Sequence, residues 1–307
     1  NKMIEYIITF SLAIFFSYLA DKNYHKRILF YLFSSFAIAI PVILAGFRDE
    51  TIGTDINTYI IHSFEQASNY NNLGDYVSDT NIDKIFAILM YISRNNSDNV
   101  AIPLLIISLF NILCTYIAIV KMRIYVSIPF CMTIFLFSFY NLSLNLMRQS
   151  MALSACLLSF VFLLRRYYYK FIIMFLLAFL CHSSSIFFLF PLLIWLHVDN
   201  KFHKLKSNKY TLLYVLFLPM IFLLYDTLLS GAVNIGIFSE KYLMYSTLEK
   251  HGGTNVSSIF VATYVILTIV IYTSFIRNRN KIFLYSFLIT YGILIVGLLS
   301  NISIWAG

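Results

Sequence analysis

The stretch ILFYLFSSFAIAIPVILAG, Ile28 to Gly46, runs nineteen residues without a charge and breaks off into Phe47-Arg48-Asp49-Glu50-Thr51-Ile52-Gly53-Thr54-Asp55. As a helix it would be about 28 Å long at roughly 1.5 Å per residue, close to the roughly 30 Å hydrocarbon core of a bilayer. The rest of the chain is built the same way. Of 307 residues, 60% are hydrophobic and only 12% charged, with 30 Phe and 23 Tyr, a composition that no soluble domain shares. A β-barrel would need short alternating segments with polar inward positions, whereas the apolar runs here are near-continuous. The sequence therefore predicts an all-α, polytopic integral membrane protein, a single transmembrane domain over residues 1–307.

Ten spans are expected, at about Met3–Ala20, Ile28–Gly46, Ala101–Val120, Val126–Tyr140, Met151–Leu164, Tyr167–His182, Ser185–Val198, Tyr210–Tyr225, Ile259–Ile276 and Ile282–Ser300. Alternate connections hold fifteen of the 22 Lys and Arg against two acids, Asp21 and Asp199. By the positive-inside rule these connections are cytoplasmic. The formal charge of +8 then divides into about +13 inside and −5 outside, so the basic balance reports topology and argues against nucleic acid as a partner. Keeping this alternation requires two short helices that turn at Cys181-His182-Ser183-Ser184-Ser185, in place of one 26-residue helix from Phe171 to Leu196. Such a hairpin is too short to reach the surface, and backbone turning at that depth must be buried in protein or line a wet cavity.

Two large loops, about 47–100 and 226–258, are expected outside. The first contains Thr80-Asn81-Ile82-Asp83, a capping-box pattern followed by Ile85, Phe86 and Leu89 at helical spacing, which predicts a short amphipathic helix lying at the membrane interface. The second mixes Tyr242, Tyr245, Lys241, Glu240 and Glu249 with Gly252-Gly253, a combination suited to sugars and equally common in interfacial loops. Cys114, Cys131, Cys156 and Cys181 lie inside apolar runs without paired spacing and read as packing residues. The sequence contains no nucleotide-type glycine loop, no HExxH and no Cys-rich metal pattern, so neither metal nor cofactor is expected.

Charge at the edge of hydrocarbon costs about 2.5 to 3.5 kcal/mol per centrally placed Arg or Asp, so a cluster such as Arg48 to Asp55 is expected to face a polar cavity and ligand. Ordinary flanking charge is the alternative. From Ser138 to Ala152, across the expected outer turn between the fourth and fifth spans, Asn141, Asn145, Arg148 and Gln149 would share one face if the helix is continuous there. Arg148 could then meet a phosphate with its planar fork, or instead snorkel to the surface.

Gly46-Phe47-Arg48, Ile52-Gly53-Thr54-Asp55 with Tyr59, Met147-Arg148-Gln149 and His182-Ser183-Ser184 together resemble the EpsG-like group of Wzy polysaccharide polymerases, in motif order and membrane placement over most of the chain. The resemblance implies a bacterial inner-membrane glycosyltransferase acting on the periplasmic or outer face. It would move a growing glycan from undecaprenyl diphosphate to the non-reducing end of a lipid-linked repeat unit, without a metal. Its partners would be that lipid-linked oligosaccharide, membrane lipid, a flippase and a chain-length regulator. Proteins of the group usually continue past the position of Gly307, which implies further helices there. On this reading Arg48 and Arg148 hold the diphosphate, the base is Asp55, which shares a loop with Arg48, ahead of His182, and Gly53, Tyr59, Asn145, Gln149 and Ser184 contact substrate. For Asp55, a salt bridge to Arg48 that orders the loop is the competing reading. Two other functions stay open: a flippase or transporter of lipid-linked sugars, which would call for inverted repeats and midplane charge, and an O-antigen ligase-like transferase, which differs in its acceptor.

Overall fold

The computed structural model describes residues 2–188 apart from 50, 54 and 81, together with 231 and 234. Asn1–Phe187 forms one compact unit, helical throughout with no strand among the described residues. Helices α1 (Lys2–Lys22) and α2 (Arg27–Gly46) form the first hairpin. Short helices α3 (Ile61–Gln66), α4 (Leu73–Asp79) and α5 (Lys84–Asn96) follow, then α6 (Ala101–Lys121). α7 (Ile128–Ile134) runs through a π-turn at Phe135–Phe139 into α8 (Tyr140–Asn145), and α9 (Met147–Leu164) and α10 (Tyr168–Cys181) complete the unit.

Five stretches are long and apolar enough to cross a membrane: Met3–Lys22, Arg27–Gly46, Ala101–Lys121, Ile128–Asn145 and Met147–Leu164. They coincide with the first five expected spans within a few residues. α10 is apolar but shorter, at fourteen residues. It ends where the sequence placed a turn, with His182 extended and a 3-10 turn at Ser183–Phe188, so no single helix runs from Phe171 to Leu196. The returning arm of that hairpin past Phe188, the last three expected spans and the loop 226–258 apart from 231 and 234 lie outside the described residues.

Lipid offers apolar side chains no less welcome than a neighbouring helix does, so bundle contacts rest on close approach and on internal hydrogen bonds. Ala13, Ala20, Ala37 and Ala45 are fully buried, and a Cβ added at Gly46 would sit 2.2 Å from the Leu105 side chain, which marks where α2 meets α6. Polar ties are few and specific. Tyr140 Oη donates to the Pro41 carbonyl (2.6 Å), Ser34 and Tyr116 share a hydroxyl hydrogen bond (2.8 Å), and Ser159 Oγ donates to the Phe171 carbonyl (3.0 Å). At one end of the bundle Arg123 pairs with Asp21 and Arg165 donates to the Lys121 carbonyl, which brings together the basic connections among the described residues.

The segment between α2 and α6 corrects the sequence reading in two ways. It folds as several short helices, with a core of Ile56, Ile60, Phe64, Tyr76, Phe86 and Met90 packed against Leu104, Met151 and Cys181. The apolar face of α5 therefore lies on protein, where an interfacial helix was expected. Nor does the capping box form: Thr80 Oγ1 donates back to the Tyr76 carbonyl and ends α4, and the Asp83 side chain makes no cap on α5. The third correction concerns residues 138–152. The helix there is broken at Leu146 (φ −123°, ψ 60°), so Asn141 and Asn145 do not continue the face that carries Arg148 and Gln149.

Candidate functional site

The junction at Leu146 between the fourth and fifth membrane-crossing stretches leaves helix-end backbone groups that hydrocarbon cannot satisfy. Among the groups freed at Leu146 are the Leu144 carbonyl and the Met147 N–H, and the loop after α2 reaches both. Asp55 Oδ2 accepts from Met147 N at 2.8 Å, and Arg48 Nη2 reaches the Leu144 carbonyl at 3.5 Å. Arg48 also donates from Nη1 to the Ala45 carbonyl (2.7 Å) and from Nε to the Ile52 carbonyl (2.9 Å), which winds the loop around its guanidinium. Gly53 makes the approach possible. Its φ of +107° suits glycine alone, and a Cβ there would stand 2.5 Å from the Leu144 carbonyl oxygen. Burial pushes the Asp55 carboxyl pKa up, against the Met147 N–H and the charges of Arg148, His182 and Arg48, which pull it down. Burial likewise lowers the Arg48 pKa, opposed by Tyr140, Tyr6 and Asp55. The expected alternative of a direct Arg48–Asp55 ion pair is not the arrangement: both side chains bond to backbone and meet only through longer-range attraction.

Beside this suture lies a second polar group drawn from four segments. Asp83 Oδ2 accepts from Arg148 Nη1 at 3.3 Å and contacts His182 Nδ1 at 3.1 Å, with all three side chains largely buried. The Arg148 guanidinium lies over the Tyr59 ring at 4.1 Å, and Tyr59 sits on a π-turn, Ile56–Ile60. Such turns are rare and recur at functional sites. Ser185 Oγ donates to the carbonyls of Ala178 (2.9 Å) and His182 (2.7 Å), which fixes the chain as it leaves α10. One carboxylate thus orients both a permanent cation and an imidazole.

The EpsG family model matches residues 30–306. The chain belongs to the EpsG family. No curated protein and no solved structure matches it. EpsG membership fits a Wzy-type polymerase group and points to a polysaccharide polymerase-type role in a membrane protein.

Within this EpsG-family chain the predicted site residues divide. Arg48, Gly53, Asp55, Tyr59, Arg148 and His182 are brought to one end of the bundle. Asn145 Nδ2 donates to the Asn141 carbonyl (2.9 Å) on the far side of the break, Gln149 is exposed, and Ser184 lies within the 3-10 turn after His182. Asp83 is the residue that the sequence reading missed. Its acid stood in a plausible capping pattern, and nothing local announces partners 65 and 99 positions away. Arg48 also borders a cavity of about 780 Å³ lined by Asp98 and Asn99 together with Phe47, Val100 and Leu104.

Proposed function

We propose that this protein is a polysaccharide polymerase that transfers a growing glycan from undecaprenyl diphosphate to the non-reducing-end sugar of a lipid-linked repeat unit, at the outer face of the bacterial inner membrane. The observation that carries the reading is the convergence of Arg48, Asp55, Asp83, Arg148 and His182 in a chain that is otherwise overwhelmingly apolar. In the transfer, the acceptor hydroxyl oxygen bonds to the anomeric carbon of the donor glycan as the bond from that carbon to the diphosphate oxygen breaks. The diphosphate leaves with the electron pair, and the hydroxyl proton passes to a base.

Each group suits one part of that step. Arg148, held by Asp83 and stacked on Tyr59, offers a fixed guanidinium to the developing diphosphate charge, which supplies electrostatic stabilisation without a metal. Arg48 adds a second permanent charge, though most of its donors serve the loop. His182 is the preferred base, because Asp83 contacts its Nδ1 and can fix the orientation of the imidazole. Asp55, already engaged by Met147 N–H, is the second candidate and the main anchor of the loop. A flippase and a chain-length regulator are the partners that go with this reading.

Purified protein in liposomes, given lipid-linked repeat units on the face bearing the site, is expected to yield a ladder of polymers whether or not a chelator is present. Movement of intact substrate across the bilayer without a ladder would instead favour a transporter, and transfer only to a separate lipid acceptor would favour a ligase.

A further inference from the structure

At the end of the bundle away from the candidate site, the turn from α9 into α10 is built around an arginine where glycine is usual. Tyr167 N donates to the Phe162 carbonyl and Arg166 N to the Leu163 carbonyl, each at 2.9 Å, the paired bonds of a helix end closed by a left-handed residue. The Tyr167 ring meets the Phe162 ring edge-on at 6.5 Å, the apolar contact that accompanies such an end. Glycine normally fills the left-handed position, because a Cβ is disfavoured there. Here it holds Arg166, at φ +62°, the one non-glycine residue with positive φ among the described residues. A cation kept at a strained position points to a use for its charge.

The neighbouring cations converge on the same corner from three helices. Lys121 ends α6, Arg165 caps α9, and Lys170 lies in the first turn of α10. Lys121 Nζ and Lys170 Nζ stand 5.2 and 5.8 Å from the centre of one buried ring, Phe162, and Arg165 donates to the Lys121 carbonyl. Lys170 Nζ is also 5.3 Å from the Tyr167 ring and 5.4 Å from the Tyr169 ring. Among the described residues no carboxylate pairs with Lys121, Arg165 or Lys170, and Asp21, the acid at this end, is taken by Arg123. Like charges folded together repel, and an anion bound among them would relieve that cost. Tyr167, Tyr168 and Tyr169 are exposed beside them, as rings are at the level of lipid headgroups.

We infer that this corner of α6, α9 and α10 binds the phosphate headgroup of an anionic phospholipid, in the leaflet at the basic end of the bundle. Scattered flanking Lys and Arg attract such a leaflet diffusely, whereas a basic pocket between spans holds one headgroup. Its place where helices leave hydrocarbon, among exposed tyrosines, favours a lipid over a soluble anion. The corner lies away from the candidate site, so its occupancy is independent of the polymerase reading.

The test titrates the full-length protein in detergent with phosphatidylglycerol or phosphatidylcholine and follows retained lipid by native mass spectrometry. Phosphatidylglycerol is expected to be retained at least about tenfold more strongly than phosphatidylcholine. Lys121→Gln with Lys170→Gln should abolish that preference. Lys22→Gln with Lys26→Gln, which removes the same charge from the α1–α2 turn, should leave it intact. Arg166→Gly removes a cation and the backbone strain together, so retention is expected to fall several-fold while the melting temperature holds or rises; it serves alone if the double lysine variant folds poorly. Equal retention of the two lipids, unchanged retention in well-folded site variants, equal loss in the α1–α2 control, or displacement of the lipid by excess inorganic phosphate would overturn the inference.

Discussion

Asp55 is held in the fold at a cost that its neighbours offset only in part. Burial raises its carboxyl pKa above the ordinary value of 3.8, so folding favours the protonated form. The contribution to stability is then fully present below about 3.8 and is lost as pH rises through the higher folded value. Asp55→Asn keeps an oxygen for the Met147 N–H and does not titrate. On acidification from pH 7 toward 4, the wild-type melting temperature is therefore expected to rise relative to that of Asp55→Asn, as followed by thermal unfolding in detergent; a constant or falling difference would contradict the account. Asp83 acts differently, since its carboxylate orients Arg148 and His182. Asp83→Asn is expected to lower kcat by about 10²-fold with little change in KM, as lost positioning of a general base would, and Asp83→Glu to recover part of it. Residue identity made Arg48, Arg148 and His182 conspicuous, because charge is rare in this sequence. Asp83 was not conspicuous, because an acid before an apolar helix has an ordinary local explanation.

The loop after α2 and the junction of the two spans at Leu146 behave as one element. Gly53 adopts φ +107° against the Leu144 carbonyl, so Gly53→Ala meets both backbone strain and a steric clash. A loss of about 3 kcal/mol is expected from chemical or thermal unfolding. Arg48→Met would leave the Ala45 and Ile52 carbonyls without their donors, at about 2–4 kcal/mol for the group together. The two changes disrupt the same suture, so the double variant should lose less than the sum of the two, and strict additivity would show that loop and break are independent. The spans themselves were legible from the sequence, because hydrocarbon thickness forces their length and composition. The junction between the fourth and fifth spans was legible to within a few residues, but its placement at Leu146 was not: Leu146 has neither glycine nor proline beside it, and Asp55 and Arg48 bond to the flanking backbone from almost a hundred residues earlier.

At the scale of the molecule, the bundle separates a basic end, where Arg123, Asp21, Lys121 and Arg165 meet, from an end that carries the candidate site. Membrane-impermeant maleimide added from outside is expected to label Asn95→Cys, on the site end, and to spare Ser127→Cys, on the basic end, until the membrane is opened; the opposite pattern would invert the topology. Alternation of charge made this polarity legible in the sequence, whereas the packing of the 47–100 segment onto α6, α9 and α10 depends on contacts that no local pattern encodes. The central claim is that one buried cluster performs glycan transfer. Its most direct test is the polymer ladder formed by Arg148→Lys and His182→Gln in liposomes, with Asn95→Cys as a folded control and melting temperature measured for each. The account predicts at least about 10²-fold loss of polymer for the first two, with folding retained and the control unaffected. Wild-type ladders from well-folded Arg148→Lys and His182→Gln would contradict it.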